Sequence, residues 1–119
     1  MSNLTVMNEP THVGFSEDLQ SIIKGLDHPN RQEILNVLRE NTRLSFSEIE
    51  KKTNINSSLL ANHLNNLIEN LLVERFYDHY SEKNAYSYYE LSIIGKRIIT
   101  ALEAAFYNQQ LSEIAVKIK

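Results

Sequence analysis

The residues of this chain best suited to chemistry are amides, hydroxyls and a few cations. Asn62 and Asn66 stand four apart, so on a helix one lies above the other. An Asn amide can bond adenine N6 and N7 with both its ends. Ser57 and Ser58 open the same segment, where a hydroxyl and a helix N-terminus together suit a phosphate or a base edge. Leu59 can pack on a thymine methyl group. Lys51 and Lys52 lie just upstream and can neutralise phosphates. The chemistry this set implies is recognition of duplex DNA, with a preference for A·T-rich sites.

Other chemistries lack their residues. Cysteine is absent, which removes disulfides, thiol nucleophiles and thiolate metal sites together. His12, His28, His63 and His79 never stand three or four apart, so no imidazole pair faces a metal from one helix. Gly14, Gly25 and Gly95 are too scattered to form a phosphate-cradling loop. No nucleophile–base pair or carboxylate cluster stands out, so we expect no enzyme, no cofactor and no metal site. No apolar run approaches the roughly 18–20 residues that cross a bilayer. The start MSNLTVMNEP has neither the basic end nor the apolar stretch of an export signal. The expectation is a cytoplasmic protein without a membrane partner.

Something must hold those amides outward. A chain of 119 residues with 42% hydrophobic content has room for one domain with a real core. Residues 1–14 read as a flexible polar arm, without helical periodicity. From Phe15, Leu19, Ile22, Ile23 and Leu26 recur at helical spacing, and this helix ends near Gly25–Pro29. Asp27 or Asn30 can cap a second helix that carries Ile34, Leu35, Val37 and Leu38 and stops around Asn41. Ser45 and Glu48 form a capping box for a short helix with Phe46 and Ile49 inward. Thr53-Asn54-Ile55-Asn56 breaks it, and Asn56 caps a helix whose buried stripe is Leu60, Leu64, Leu67 and Ile68. Ser57, Ser58, Leu59, Ala61, Asn62, Asn65 and Asn66 are left facing out. Residues 72–78 and 85–91 read as antiparallel strands joined by a polar loop at 79–84. Ser92 then caps a last helix built on Ile94, Ile98, Leu102, Ala105 and Phe106, which runs on or resumes after Asn108. The fold class is mainly α with a small β-hairpin: a winged helix-turn-helix in 15–91 and a terminal helix in 92–119.

Four stretches carry a family likeness. Residues 25–38 (GLDHPNRQEILNVL) resemble the entry helix of ArsR-like winged helix-turn-helix transcriptional regulators, and Leu44-Ser-Phe-Ser-Glu-Ile49 resembles the helix that follows it. SSLLANHLNNLIENLLV, residues 57–73, resembles their recognition helix, with the family's His-Leu pair at His63-Leu64. Tyr88-Tyr-Glu-Leu-Ser-Ile-Ile-Gly95 resembles the end of their wing. Four motifs in the right order, over roughly residues 25–105, make the likeness one of fold. It implies helix 57–69 in the major groove, wing 73–91 on the backbone or in the minor groove, and His63 toward the phosphates. Two departures stand out. Leu71 occupies a place where the family usually has Gly, so the helix end is expected to use Asn70 in the left-handed conformation instead. The metal-sensing cysteines of the family are missing.

Charge complicates this reading. The chain carries −3 at pH 7, whereas DNA-binding domains are usually basic. Arg43, Lys51, Lys52, Arg75 and Lys83 are the phosphate candidates, with Lys83 at the wing tip. Seven acids over residues 43–90 oppose them, so binding requires the acids to face away from DNA. The amides also read as ordinary solvated residues, since Asn recurs at Asn3, Asn8, Asn36, Asn41 and Asn108. Tyr77, Tyr80, Tyr86, Tyr88 and Tyr89 read mainly as strand packing. The last helix has apolar positions on too many sides for one face, so a homodimer is expected to bury them, with the first helix contributing. The alternative is a winged-helix protein–protein interaction module without intrinsic DNA binding.

Overall fold

A computed structural model describes residues 14–81 and 84–118, with side chains described for 14–77 and 87–107. The arm expected at residues 1–14 lies outside the described residues apart from Gly14, and so does Lys83 at the wing tip.

Side-chain caps divide the helical part of the chain. Ser16 accepts the Leu19 N–H and opens α1, Glu17–Leu26. The second helix, α2 (Pro29–Glu40), is capped by His28, whose Nδ1 accepts the Asn30 N–H at 3.0 Å. This corrects the expectation of Asp27 or Asn30: with Pro29 at the first helical position, the residue before it becomes the cap. Ser45 and Glu48 form the expected capping box of α3, Phe46–Thr53. Asn54, at φ +60°, ends α3 in the left-handed region, which Asn tolerates better than most residues. Asn56 accepts the Leu59 N–H and starts α4, Ser57–Glu69, as expected.

At the end of α4 the backbone departs from the sequence reading. Asn70 has φ −96°; Leu71 itself takes the left-handed conformation, at φ +70°. A leucine there costs about 1–2 kcal/mol that glycine would not. The turn is held by Leu72 N–H donating to the Leu67 carbonyl (3.0 Å) and by the Ser92 hydroxyl donating to the Leu71 carbonyl (2.6 Å).

The wing is longer than expected. The strands β2 (Val73–Ser81) and β3 (Asn84–Leu91) pair antiparallel, with Val73 opposite Leu91 and an irregularity between His79 and Ser81. A two-residue strand, β1 (Leu44–Ser45), adds to the other edge of β3, giving the order β1-β3-β2. It is too short for any sequence period to show, and it forms because Leu44 is buried opposite Tyr89. Ser92 caps the last helix, α5, by accepting the Gly95 N–H. This helix is continuous from Ile93 to Ile118, about 39 Å at the usual rise per residue. A Cβ on Gly95 would collide with the Leu72 carbonyl oxygen, so only glycine lets α5 start this close to the end of α4.

The core gathers one face of every helix. Ile22 of α1, Ile34, Leu35 and Leu38 of α2, Ile49 of α3 and Leu60, Leu64 and Leu67 of α4 pack with Leu44, Leu72, Val73, Tyr89 and Leu91. Each such side chain contributes about 1.5–3 kcal/mol by leaving water. Ile98 and Ile99 of α5 close the core at its edge, and Arg39 of α2 forms an ion pair with Glu103 of α5. Beyond that point the same side of α5 has no core beneath it: Leu102 and Phe106 are exposed.

Candidate nucleic-acid interface

Burial of Leu60, Leu64 and Leu67 turns the opposite side of α4 outward. Ser57, Ser58, Leu59, Asn62 and Asn65 are exposed, and Asn66 is half-buried. No acid lies on α4 before Glu69. Of the amides, Asn62 stands fully outward. Asn66 turns back along the helix, its Oδ1 accepting from the Asn70 side chain at 3.0 Å. The stack of two free amides expected from the spacing is therefore one exposed amide and one engaged in the helix end.

Asn65 is more committed than its exposure suggests. Its Oδ1 accepts from Arg75 Nη2 at 2.9 Å, and Arg75 Nη1 donates to the Tyr77 hydroxyl at 3.5 Å. The guanidinium also lies over the Tyr89 ring, 5.4 Å from its centroid. The hydrogen bond to Tyr77 and the neighbouring phenols favour the charged form of Arg75 further. Arg75 thus ties the outer face of α4 to the wing and presents a fixed positive charge at the seam. Sequence spacing hides this pair, because Asn65 and Arg75 sit on different elements and meet only through the turn at Leu71.

The remaining cations divide into free and spent. Lys51 and Lys52 are exposed in the last turn of α3, a position that also offsets that helix's dipole. Arg43 donates through Nε to Glu90 at 2.7 Å and lies over Phe76 at 4.9 Å and Tyr88 at 5.9 Å. Its charge is largely matched within the protein. On the other side, the Ser57 hydroxyl donates to the Glu50 carboxylate, which places an acid beside the first turn of α4. Glu50 thus stands at the N-terminal end of the candidate face, Glu69 lies beyond its C-terminal end, and Glu48 is used in the capping box.

His63 does not face outward. It is only 8% exposed, three residues after Leu60 and four before Leu67, hence on the buried stripe. Its Nδ1 stands 3.3 Å from Arg31 Nη1, and its ring lies 4.5 Å from that of His28. Arg31 has no lone pair to offer, so Nδ1 accepts and the proton of the neutral ring sits on Nε2. Arg31 also donates to the carbonyls of Lys24, Gly25 and Asp27. It closes the C-terminal end of α1, whose orphan carbonyls it satisfies, and connects that end to α4. Nothing in the sequence spacing marks Arg31 as an organising residue, because the three carbonyls it binds are brought together by backbone geometry.

A short helix, a turn and an amide-bearing helix beside a hairpin wing define a winged helix-turn-helix. Residues 28–75 match the model of the bacterial regulatory proteins of the arsR family, and over that segment the chain is similar to them. The likeness read from the four motifs is upheld. Among solved structures, the chain is similar to diamide-treated YodB from B. subtilis: 28% identity over 84% of this chain and 92% of that one, at a TM-score of 0.61. It is also similar in fold to the transcriptional repressor BigR from Xylella fastidiosa, with 24% identity over 75% and 86% of the two chains and a TM-score of 0.60. A third likeness in fold is to the homodimeric DNA-binding domain of Mb0332 from Mycobacterium bovis, a possible ArsR-family regulator. There the identity is 19%, the coverage 86% and 95%, and the TM-score 0.64. Comparison with curated proteins gave no match. Among the described residues no helix is long and apolar enough to cross a membrane.

Proposed function

We propose that this chain is a homodimeric, DNA-binding transcriptional regulator. The observation that carries the reading is the outer face of α4. Ser58, Leu59 and Asn62 are exposed on an acid-free stretch of helix, flanked by free Lys51 and Lys52 on one side and by Arg75 on the other. In this reading α4 lies in the major groove, Asn62 reads a base edge, and the lysines and Arg75 hold phosphates. The wing, β2–β3, follows the backbone or enters the adjacent minor groove.

Dimerisation supplies the second half-site. Phe106 and Tyr107 are 70% and 61% exposed on α5, and Phe15 and Ile23 at α1 are 58% and 44% exposed. Such apolar surface is what a symmetric α1–α5 interface would cover. A dimer of this kind sets two copies of α4 about 34 Å apart, one turn of DNA. Occupancy of a palindromic site, by blocking or recruiting polymerase, is then the regulatory act, and the cytoplasm is where it takes place.

The Glu50 carboxylate beside Ser57 favours the second reading, a protein-interaction module, because it repels a phosphate from the first turn of α4. Binding to duplex DNA decides between them. Asn62→Ala is expected to weaken a selected site by about 1–3 kcal/mol and random duplex hardly at all. Lys51→Ala is expected to weaken both alike. Equal losses for the two variants would reject the base contact, and no binding of the unaltered protein at low salt would reject the regulator.

A further inference from the structure

The buried side of α4 carries a titratable group in a place where a second charge cannot be accommodated. His63 accepts a hydrogen bond from Arg31 at 3.3 Å through Nδ1, and its ring is hemmed in by His28 at 4.5 Å. His28 cannot swing away freely, since its own Nδ1 caps α2 through the Asn30 N–H. Arg31 cannot retreat either, being fixed by three carbonyls at the end of α1. Among the described residues neither Arg31 nor His63 forms an ion pair. A proton on Nδ1 would turn the acceptor into a donor and set an imidazolium against a guanidinium.

The charged groups of the surrounding elements do not relieve this. From α1 and its exit, Lys24 and Asp27 offer carbonyls to Arg31. From α3, Glu50 is engaged with Ser57 in the first turn of α4. From β2, Arg75 is engaged with Asn65 on the outer face. From α2, Arg31 and His28 face the ring, and both disfavour a charge on it. Burial acts in the same direction and most strongly, holding the His63 imidazole below its ordinary value.

We propose that Arg31, His28 and His63 form a proton-operated latch on the recognition helix. Neutral His63 seats α4 against the corner between α1 and α2, and protonation unseats it, so that acid weakens the presentation of α4 to DNA. The helix carries Asn62 immediately before His63 and Asn65 two residues after it, so any shift at the ring moves the outer face directly. The DNA half of this inference rests on the function proposed above; the unseating of α4 does not.

The sign follows from linkage. The unfolded or unseated state takes a proton near pH 6.5 and the seated state only below that, so seating is complete above about pH 7 and is lost as pH falls. His63→Asn removes the titration while its Oδ1 can still accept from Arg31. Amide exchange across residues 57–69 in the free protein, from pH 7.5 to 5.5, is expected to lose about three- to tenfold protection in the unaltered chain after correction for intrinsic rates. His63→Asn is expected to show no such loss. Affinity for a selected duplex, expressed as the ratio of the unaltered chain to His63→Asn, is expected to fall over the same range by a similar factor. If His63→Asn does not fold, the exchange profile of the unaltered chain is read against His63 titration followed by NMR, and protection must fall with that titration. Protection of α4 that does not follow His63 overturns the latch. So does a duplex-affinity ratio that is flat or rises in acid, as direct contact of His63 with phosphate would produce. Loss of protection without any DNA binding upholds the latch and rejects the regulator.

Discussion

The salt dependence of binding follows from which cations the fold leaves free. Each Lys or Arg that neutralises a phosphate steepens the plot of log affinity against log salt by about 0.9. Lys51 and Lys52 are exposed and unpaired by any ion pair among the described residues, Arg75 is held at the seam, and Arg43 is matched by Glu90. A homodimer presenting Lys51, Lys52 and Arg75 twice should show a slope of about −5. Lys51→Gln/Lys52→Gln removes four charges from the dimer, and the slope should become shallower by about 3.6. Between 50 and 200 mM salt the unaltered protein should therefore lose about two orders of magnitude more affinity than the variant. Arg43→Gln should leave the slope where it was. Fluorescence anisotropy of a labelled duplex measures all three, and circular dichroism checks that α3 survives the loss of its terminal charges. An unchanged slope in a folded double variant would refute the assignment and make these lysines a solvated helix end.

Three further outcomes are expected. Gly95→Ala puts a Cβ into the Leu72 carbonyl and 3.1 Å from the Ser92 hydroxyl, so chemical denaturation should show a loss of about 1–3 kcal/mol. The hydrogen bonds from the Ser45 backbone and side chain hold the Glu48 carboxyl below its ordinary value. Its stabilising share is therefore complete above about pH 4.5 and is lost as pH falls through the lowered value, so the urea midpoint of Glu48→Gln should vary less between pH 3 and 6. Phe106→Glu places a charge in the apolar end of α5, and sedimentation should show a monomer that retains the domain's helical spectrum.

Much of the fold was legible because its determinants are local. The capping box at Ser45–Glu48, the Asn56 cap and the stripe of Leu60, Leu64 and Leu67 each lie within one or two turns of chain. The same stripe carried a signal about His63: a residue three after Leu60 and four before Leu67 belongs inside, and the family pattern drew attention away from it. What stayed hidden depends on tertiary meetings. The edge strand at Leu44 exists through Tyr89, the amide of Asn65 is taken by Arg75, and the α1 corner is closed by Arg31. The left-handed residue at the end of α4 is Leu71 even though Asn70 has the better propensity. The hydrogen bonds at Leu67–Leu72 and Leu71–Ser92 fix where the chain must reverse, and local preference yields to them. The charge puzzle is resolved in part by the same means. Glu48 and Glu90 are used by Ser45 and Arg43, while the outer face of α4 is free of acids up to Glu69.

Selection from a pool of random duplexes tests the central claim most directly. Enrichment of an inverted repeat with half-sites about one helical turn apart is expected, bound by two copies of the chain per duplex. Recovery of no common sequence, with no retained duplex even at low salt, would contradict it.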